Sequence, residues 1–303
     1  MLEPYRFDFT AMGTSCALHL YAADSAAAER IAQAAIAEVC RIEARYSRYR
    51  SENVLADINR VARQGGSIAV DEETGGLLDY AYACHARSGG LFDISSGVLR
   101  EAWDFSSDQL PQQHTLDRLL PGIGLHKVAW AAPQLTFTVP GMELDFGGIC
   151  KEYAADMVAG ICQSQGIQHG LVDLGGDIKV IGPHPDQSPW LIGIRHPAQT
   201  GTLMATVALS HGALTSSGDY ERCIEFDGKR YSHLLNPLTG WPVLGLSSVS
   251  VVAERCLVAG SISSIAMLKG TDGIQWLESL SVPHLWMDET GNTGGNLDLF
   301  PRT

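Results

Sequence analysis

From His169 to Ala253 the sequence runs as short apolar-rich segments, each closed by a turn signal. HGLVDLGGDIKVIG (169–182) reads as strand, Gly-Gly turn and strand. WLIGIRHP, LMATVALS and CIEFDGKRYSHLL follow, the last folding back on Asp227-Gly228 as a hairpin. LSSVSVVA (246–253) is a further strand. A chain that spends this much of its length on closely spaced strands commits to a sheet rather than a helix bundle.

Helical periodicity surrounds that block. Residues 24–46 place Ile31, Ala35, Val39 and Ile42 at helical spacing after Asp24 or Ser25 as a cap. A helix over 72–87 opens on an acidic turn and ends at Gly89-Gly90. After Leu144 the texture is βαβ-like, with a helix from about Gly148 to Gln165. Its predicted inner stripe is Ile149, Tyr153, Met157 and Ile161, leaving Lys151, Glu152 and Asp156 outside. SCALHLYA (15–22) is a strand, and 256–269 is a Ser-rich apolar helix. The expected fold is α+β: mixed or antiparallel sheets packed with helices, one large domain over residues 1–303.

Composition narrows the function classes. With 21 basic against 34 acidic residues the net charge is −13, which disfavours nucleic acid and anionic membranes. A phosphate ligand then needs local help from a helix end, a placed cation or a metal. No apolar run approaches a transmembrane segment. MLEPYRFDFTAMG contains no signal core, which reads as cytoplasmic; a trimmed leader would make it periplasmic. The seven cysteines are scattered without CxxC spacing and read as buried thiols.

PGIGLHK lacks the third glycine and the preceding strand of a dinucleotide fingerprint, and no GxxxxGK[ST], HExxH or GxSxG occurs. Four constellations remain. In ELDFGGICKEYAADMV, Asp145 ends a predicted strand and Gly147-Gly148 allow close approach of backbone to a ligand, with Lys151 in the first helical turn. A tight strand-to-helix connection has the same residues. In YSHLLNPLTGWP, His233 stands where a strand meets Asn-Pro and Thr-Gly turn chemistry, suited to a general base or to bracing the turn. GGLFDISSG (89–97) is either a ligand-wrapping or a structural loop. Met12 in AMGTS and Tyr49 in YSRYRSENVLADIN suit an aromatic ring system as well as they suit a core.

Taken in order, AMGTS, YSRYRSENVLADIN, GGLFDISSG, LDFGGICKEYAAD, LVDLGGDI, TSSGDYER, YSHLLNPLTGWP and SSVSVVA resemble the ApbE-type FAD:protein FMN transferases over about residues 8–270. The resemblance implies an enzyme that cleaves FAD with Mg²⁺, attaches FMN through a phosphoester to a Ser or Thr of an acceptor flavoprotein, and releases AMP. Some relatives instead act as FAD pyrophosphatases. Carried over by position, Met12 and Tyr49 lie against the flavin nucleotide, and Leu91, Phe92 and Asp93 line the cleft. Asp145, Lys151 and the backbone at Leu234 contact FAD. Gly148 (by its carbonyl) and Ser264 hold the metal, and His233 deprotonates the acceptor.

One departure follows from the same likeness. Where the family places an Asp followed four residues later by a Thr, CLVAGSISSIAML has Gly260 and Ser264, and Glu152 replaces a common Gly after Lys151. The loss of that charge keeps open a weakened, FAD-binding homologue acting as carrier or partner subunit. Glu152 is expected to point away from the loop carbonyls.

Overall fold

The computed structural model describes residues 1–220 and 222–301. In chain order its elements begin with β1 (Glu3–Ala11), β2 (Thr14–Ala22), α1 (Ser25–Tyr46), α2 (Val54–Gln64), β3 (Gly66–Ala69) and α3 (Glu72–Ser88). Then come α4 (Gln113–Leu119), β4 (Val128–Ala131), β5 (Gln134–Phe137), α5 (Cys150–Ser164), β6 (Gly170–Leu174) and β7 (Asp177–Gly182). The next are β8 (Trp190–Arg195), β9 (Leu203–Leu209), β10 (Ala213–Gly218), β11 (Cys223–Phe226), β12 (Lys229–Ser232) and β13 (Leu246–Ala253). The last are α6 (Cys256–Leu268), α7 (Asp272–Leu280), β14 (His284–Asp288) and β15 (Thr293–Gly295).

Eight strands form the main sheet in the order β1-β2-β6-β7-β10-β13-β14-β15. Every pairing between named strands is antiparallel. The βαβ texture expected after Leu144 therefore gives way to hairpins. Gly175 and Gly176 explain the return between β6 and β7, because both hold positive φ (66° and 93°). A Cβ on Gly175 would also lie 2.6 Å from the Thr14 side chain of the neighbouring turn. The stretch before α5 is no named strand. It is extended, joined to the 93–97 loop by one parallel bridge, Ser96↔Glu143, and by Asp145 N–H donating to the Ile94 carbonyl.

One face of the sheet carries α1, α5 and α6; the β8–β9 hairpin packs a smaller core of Ile194, Ala205 and Val207 against Leu171, Ile178 and Val180. Helix α1 starts as its sequence dictates, with Asp24 Oδ1 accepting the Ala27 N–H at 2.8 Å. Ile31, Ala35, Val39 and Ile42 are all buried. The expected stripe of α5 is displaced, however. Its buried side chains are Cys150, Glu152, Ala154, Ala155, Val158, Ala159 and Cys162, while Met157 is exposed. The physical reason is crowding: α5 is wedged among α1, α6 and the sheet, so small side chains take the inner positions and bulky ones turn outward. Asp156 is not a solvent residue either. Its two carboxylate oxygens accept the Cys256 and Leu257 N–H groups, capping α6 from α5.

A third core lies beneath the far end of the molecule. Val98, Leu99, Trp103, Leu116 and Ile224 pack there, with Phe105, Tyr231 and Trp241 around them. All seven cysteines are free thiols; Cys16, Cys84, Cys150, Cys162 and Cys256 are buried, while Cys40 is exposed and Cys223 half-buried. No helix among the described residues is long and apolar enough to cross a membrane.

Candidate active site

His233 follows β12 directly. Its backbone N–H donates to the Arg222 carbonyl at 3.0 Å, and its ring Nδ1 is 3.2 Å from the same oxygen. A carbonyl only accepts, so Nδ1 carries the hydrogen and Nε2 keeps its lone pair. Phe105 stands edge-on to the ring, 6.5 Å between centroids, and stacks on Trp103 at 5.5 Å. Trp103 is pinned in turn by its Nε1–H bond to the Gly240 carbonyl at 2.8 Å. Burial lowers the imidazole below its ordinary value. The bond to the Arg222 carbonyl opposes this, and the charges of Arg222, Lys151 and Arg48 add to the lowering. The ring is thus held neutral beside three cations.

Those cations come from separate parts of the chain. Arg48 leaves the end of α1 and donates from Nη1 to Asp145 Oδ2 at 2.6 Å and from Nη2 to Tyr49 Oη at 3.1 Å. Its guanidinium also lies over the Tyr49 ring, 5.1 Å from the centroid, while that ring is 78% exposed. Asp145 accepts a second bond, from Gly147 N–H at 2.8 Å. Its carboxylate is therefore occupied largely by protein donors. Arg222 approaches the β1–β2 turn, where Met12 and Gly13 both adopt positive φ and a Cβ on Gly13 would lie 3.9 Å from its Nη2. Arg48 and Arg222 sit inside stretches that the family likeness highlights, yet neither stands out by spacing. The signal that finds them is spatial.

The other expected positions divide. Met12 is half-buried, packed on the main core. Phe92 is buried, and its ring lies 3.3 Å from where a Cβ on Gly148 would stand, forming the floor under that glycine. Leu91 beside it is half-buried. Asp93 turns inward: it accepts bonds from Ser95 N–H, Ser95 Oγ–H and Leu125 N–H, with His85 Nε2 at 3.4 Å. That carboxylate braces the loop. Leu234 gives its carbonyl to Val243 N–H at 2.9 Å and its N–H to Ser232 Oγ at 3.3 Å. Lys151 Nζ is 2.6 Å from Asp177 Oδ2.

The metal positions show a rearrangement. Ser264 is half-buried on α6, 3.1 Å from Ser217 Oγ. One turn earlier, a Cβ on Gly260 would lie 2.5 Å from Glu152 Cγ and 2.9 Å from its Oε1. The space over Gly260 is filled by the Glu152 side chain, so the expectation that Glu152 points outward is corrected. Burial, and then the nearby Asp177 carboxylate, raise its proton affinity well above the usual carboxylate range, with Lys151 pulling the other way. Among the described residues no three His, Cys, Asp or Glu side chains converge as an ion site. Glu152, the Ser264 hydroxyl and the exposed Gly148 backbone are nonetheless hard oxygen donors. They are few, and Mg²⁺ commonly takes one or two carboxylates and completes its shell with substrate phosphates and water.

The family model for ApbE matches residues 12–286 of this sequence. The chain belongs to the ApbE family. Among ApbE relatives, the FAD:protein FMN transferase of Treponema pallidum is 30% identical over 301 residues, covering 88% of this chain and 82% of that protein. The FAD:protein FMN transferase of Vibrio cholerae is 28% identical over 251 residues, covering 80% and 75%. In three dimensions an ApbE protein from Thermotoga maritima superposes with a TM-score of 0.88 at 29% identity, covering 97% of each chain. The flavin transferase ApbE of Vibrio cholerae gives 0.87 at 25% identity over 98% of each. The antiparallel sheet with its helical face is thus an ApbE fold over nearly its whole length.

Proposed function

We propose that this protein transfers the FMN half of FAD to a Ser or Thr hydroxyl of an acceptor flavoprotein and releases AMP. The observation that carries the reading is the neutral His233 ring beside Arg48, Lys151 and Arg222, in a chain whose net charge is −13. An acidic protein that concentrates cations around one unprotonated imidazole is arranged for a polyanion reacting with a weak nucleophile.

The chemistry balances without a redox step. The acceptor oxygen forms a bond to the FMN-side phosphorus, and the bond from that phosphorus to the bridging oxygen breaks. AMP leaves with the bridging oxygen. The acceptor proton passes to His233 Nε2, because Nδ1 is committed to the Arg222 carbonyl. Arg48, Lys151 and Arg222 offset the charge of the pyrophosphate, and Tyr49 offers an exposed ring to a planar group. A Mg²⁺ ion would be held by Glu152, Ser264 and the Gly148 carbonyl; when bound it stabilises charge on phosphate oxygens.

The test is to incubate the protein with FAD, Mg²⁺ and a candidate acceptor, then measure AMP and the mass of the acceptor. Stoichiometric AMP with a phosphoester-linked FMN on the acceptor is the expected result. AMP without acceptor-bound FMN would identify water as the nucleophile and a pyrophosphatase, and tight FAD binding with neither product would sink the transfer reading.

Two further outcomes follow. Because burial holds His233 below pH 6.5, kcat/KM rises with pH through a value below 6.5 and is level near neutrality. A profile with its acid limb above pH 7 would remove His233 as base. Arg48→Ala deprives Asp145 of its charged partner and the site of one cation. It should raise the KM for FAD about tenfold, in keeping with one charge-assisted hydrogen bond. Steady-state kinetics at fixed acceptor concentration check it, and an unchanged KM would place Arg48 outside the FAD site.

A further inference from the structure

Helix α6 carries no side chain at position 260, and the volume a side chain would occupy there is taken by a carboxylate from another helix. Glu152 Cγ lies 2.5 Å and its Cδ 3.0 Å from the position of a Cβ on Gly260. The 2.5 Å approach is closer than real Cβ contacts, so a side chain at 260 would require Glu152 to leave this position. The Glu152 residue is only 8% exposed; its Oε2 accepts from no N–H or hydroxyl donor, and its carboxyl faces that of Asp177. A carboxylate buried to this degree is costly unless something compensates it.

Asp177 lies beside Glu152 on β7, and Lys151 Nζ is 2.6 Å from Asp177 Oδ2. Two carboxylates thus lie beside one ammonium, and Asp177 adds to the burial that raises the proton affinity of Glu152. Ser264, one turn beyond Gly260 on the same face of α6, adds a hydroxyl to the rim.

We infer that Glu152 is the anionic ligand of a divalent-cation site between α5 and α6, reaching over Gly260 to present its free oxygen. The carboxylate is supplied by α5 and the room for it by α6. A small, hard cation such as Mg²⁺ or Mn²⁺ suits an all-oxygen set with one or two carboxylates. The carboxylate whose absence from α6 kept open a weakened homologue is therefore supplied from α5. In this position Glu152 uses the space that Gly260 leaves open.

This inference rests on the transfer reading only for the cation's role in turnover, and its test is a binding measurement. Mn²⁺ binding is followed by titration calorimetry and by electron paramagnetic resonance, with FAD present and absent. The unmodified protein should bind one Mn²⁺ saturably. Glu152→Gln keeps the shape and removes the charge, and should weaken Mn²⁺ at least tenfold. The paired exchange Glu152→Gly with Gly260→Asp returns a carboxylate to the same volume from α6, and should restore affinity to within about threefold. Thermal melts verify that each variant is folded. Wild-type affinity in Glu152→Gln, or no saturable Mn²⁺ binding by the unmodified protein with FAD, would overturn the assignment. A failure of the transfer reading looks different: Mn²⁺ binding still depends on Glu152, but no AMP or acceptor-bound FMN forms.

Discussion

His233→Ala is expected to lower FMN transfer by about 10²- to 10⁴-fold, the span usual for a positioned general base, while FAD binding persists. The separation follows from the geometry. The ring is held by the Arg222 carbonyl and the edge of Phe105, whereas the charges that would meet the pyrophosphate belong to Arg48, Lys151 and Arg222. Removing the imidazole leaves those cations in place, so a fluorescence titration with FAD should give a dissociation constant within a few-fold of the unmodified protein. Transfer measured as AMP release should collapse. Full activity in His233→Ala would exclude the histidine from the mechanism. A parallel loss of FAD binding would show that it is a binding group instead.

Phe146→Ala should be the most damaging change near the site that touches no substrate group. Phe146 is fully buried, packed edge-on against Tyr46 at 5.5 Å between centroids. Its carbonyl accepts the Ile149 and Cys150 N–H groups at 2.9 Å each, which starts α5. Truncation of a buried Phe costs about 3–5 kcal/mol through lost transfer energy and the cavity left behind. For a domain of this size that corresponds to a drop in Tm of roughly 10 °C. Because Phe146 anchors the turn between Asp145 and Gly148, the KM for FAD should rise with the loss of stability. Calorimetry beside steady-state kinetics tests both, and a Tm within 2 °C of the unmodified protein, on the scale of less than about 1 kcal/mol, would contradict the packing argument.

Much of the fold was legible because its signals are local. The Asp24 cap, the Gly175-Gly176 and Asp227-Gly228 turns and the alternating strands act within a few residues, and α1, α3, α6, β6, β7 and β11–β13 lie where those signals put them. β1, β14 and β15 were less legible. Edge strands such as β1 answer to one neighbour, so their pattern alternates half-buried with exposed residues instead of apolar with polar. At the site, His233 and Lys151 carried local cues in turn chemistry and a helix start. Arg48 and Arg222 carried none, since a guanidinium acquires its role only when the fold brings it to Asp145 or to the β1–β2 turn.

The sequence by itself determined α1, α3 and α6, the β6–β7 and β11–β12 hairpin returns, the likeness to ApbE proteins and the residues that substitute for its usual pattern at 152 and 260. Tertiary structure alone decided which way α5 faces, that Asp93 braces its loop, that Asp145 is paired with Arg48, and that Glu152 fills the space over Gly260. The reason is the reach of the forces involved. Turn and cap preferences are settled by backbone geometry within a few residues, and any reader of the chain meets them in order. The rotation of a helix wedged between two others and a sheet is settled by the volumes of neighbours a hundred residues away. Glu152 is buried because Gly260, on another helix, leaves it room.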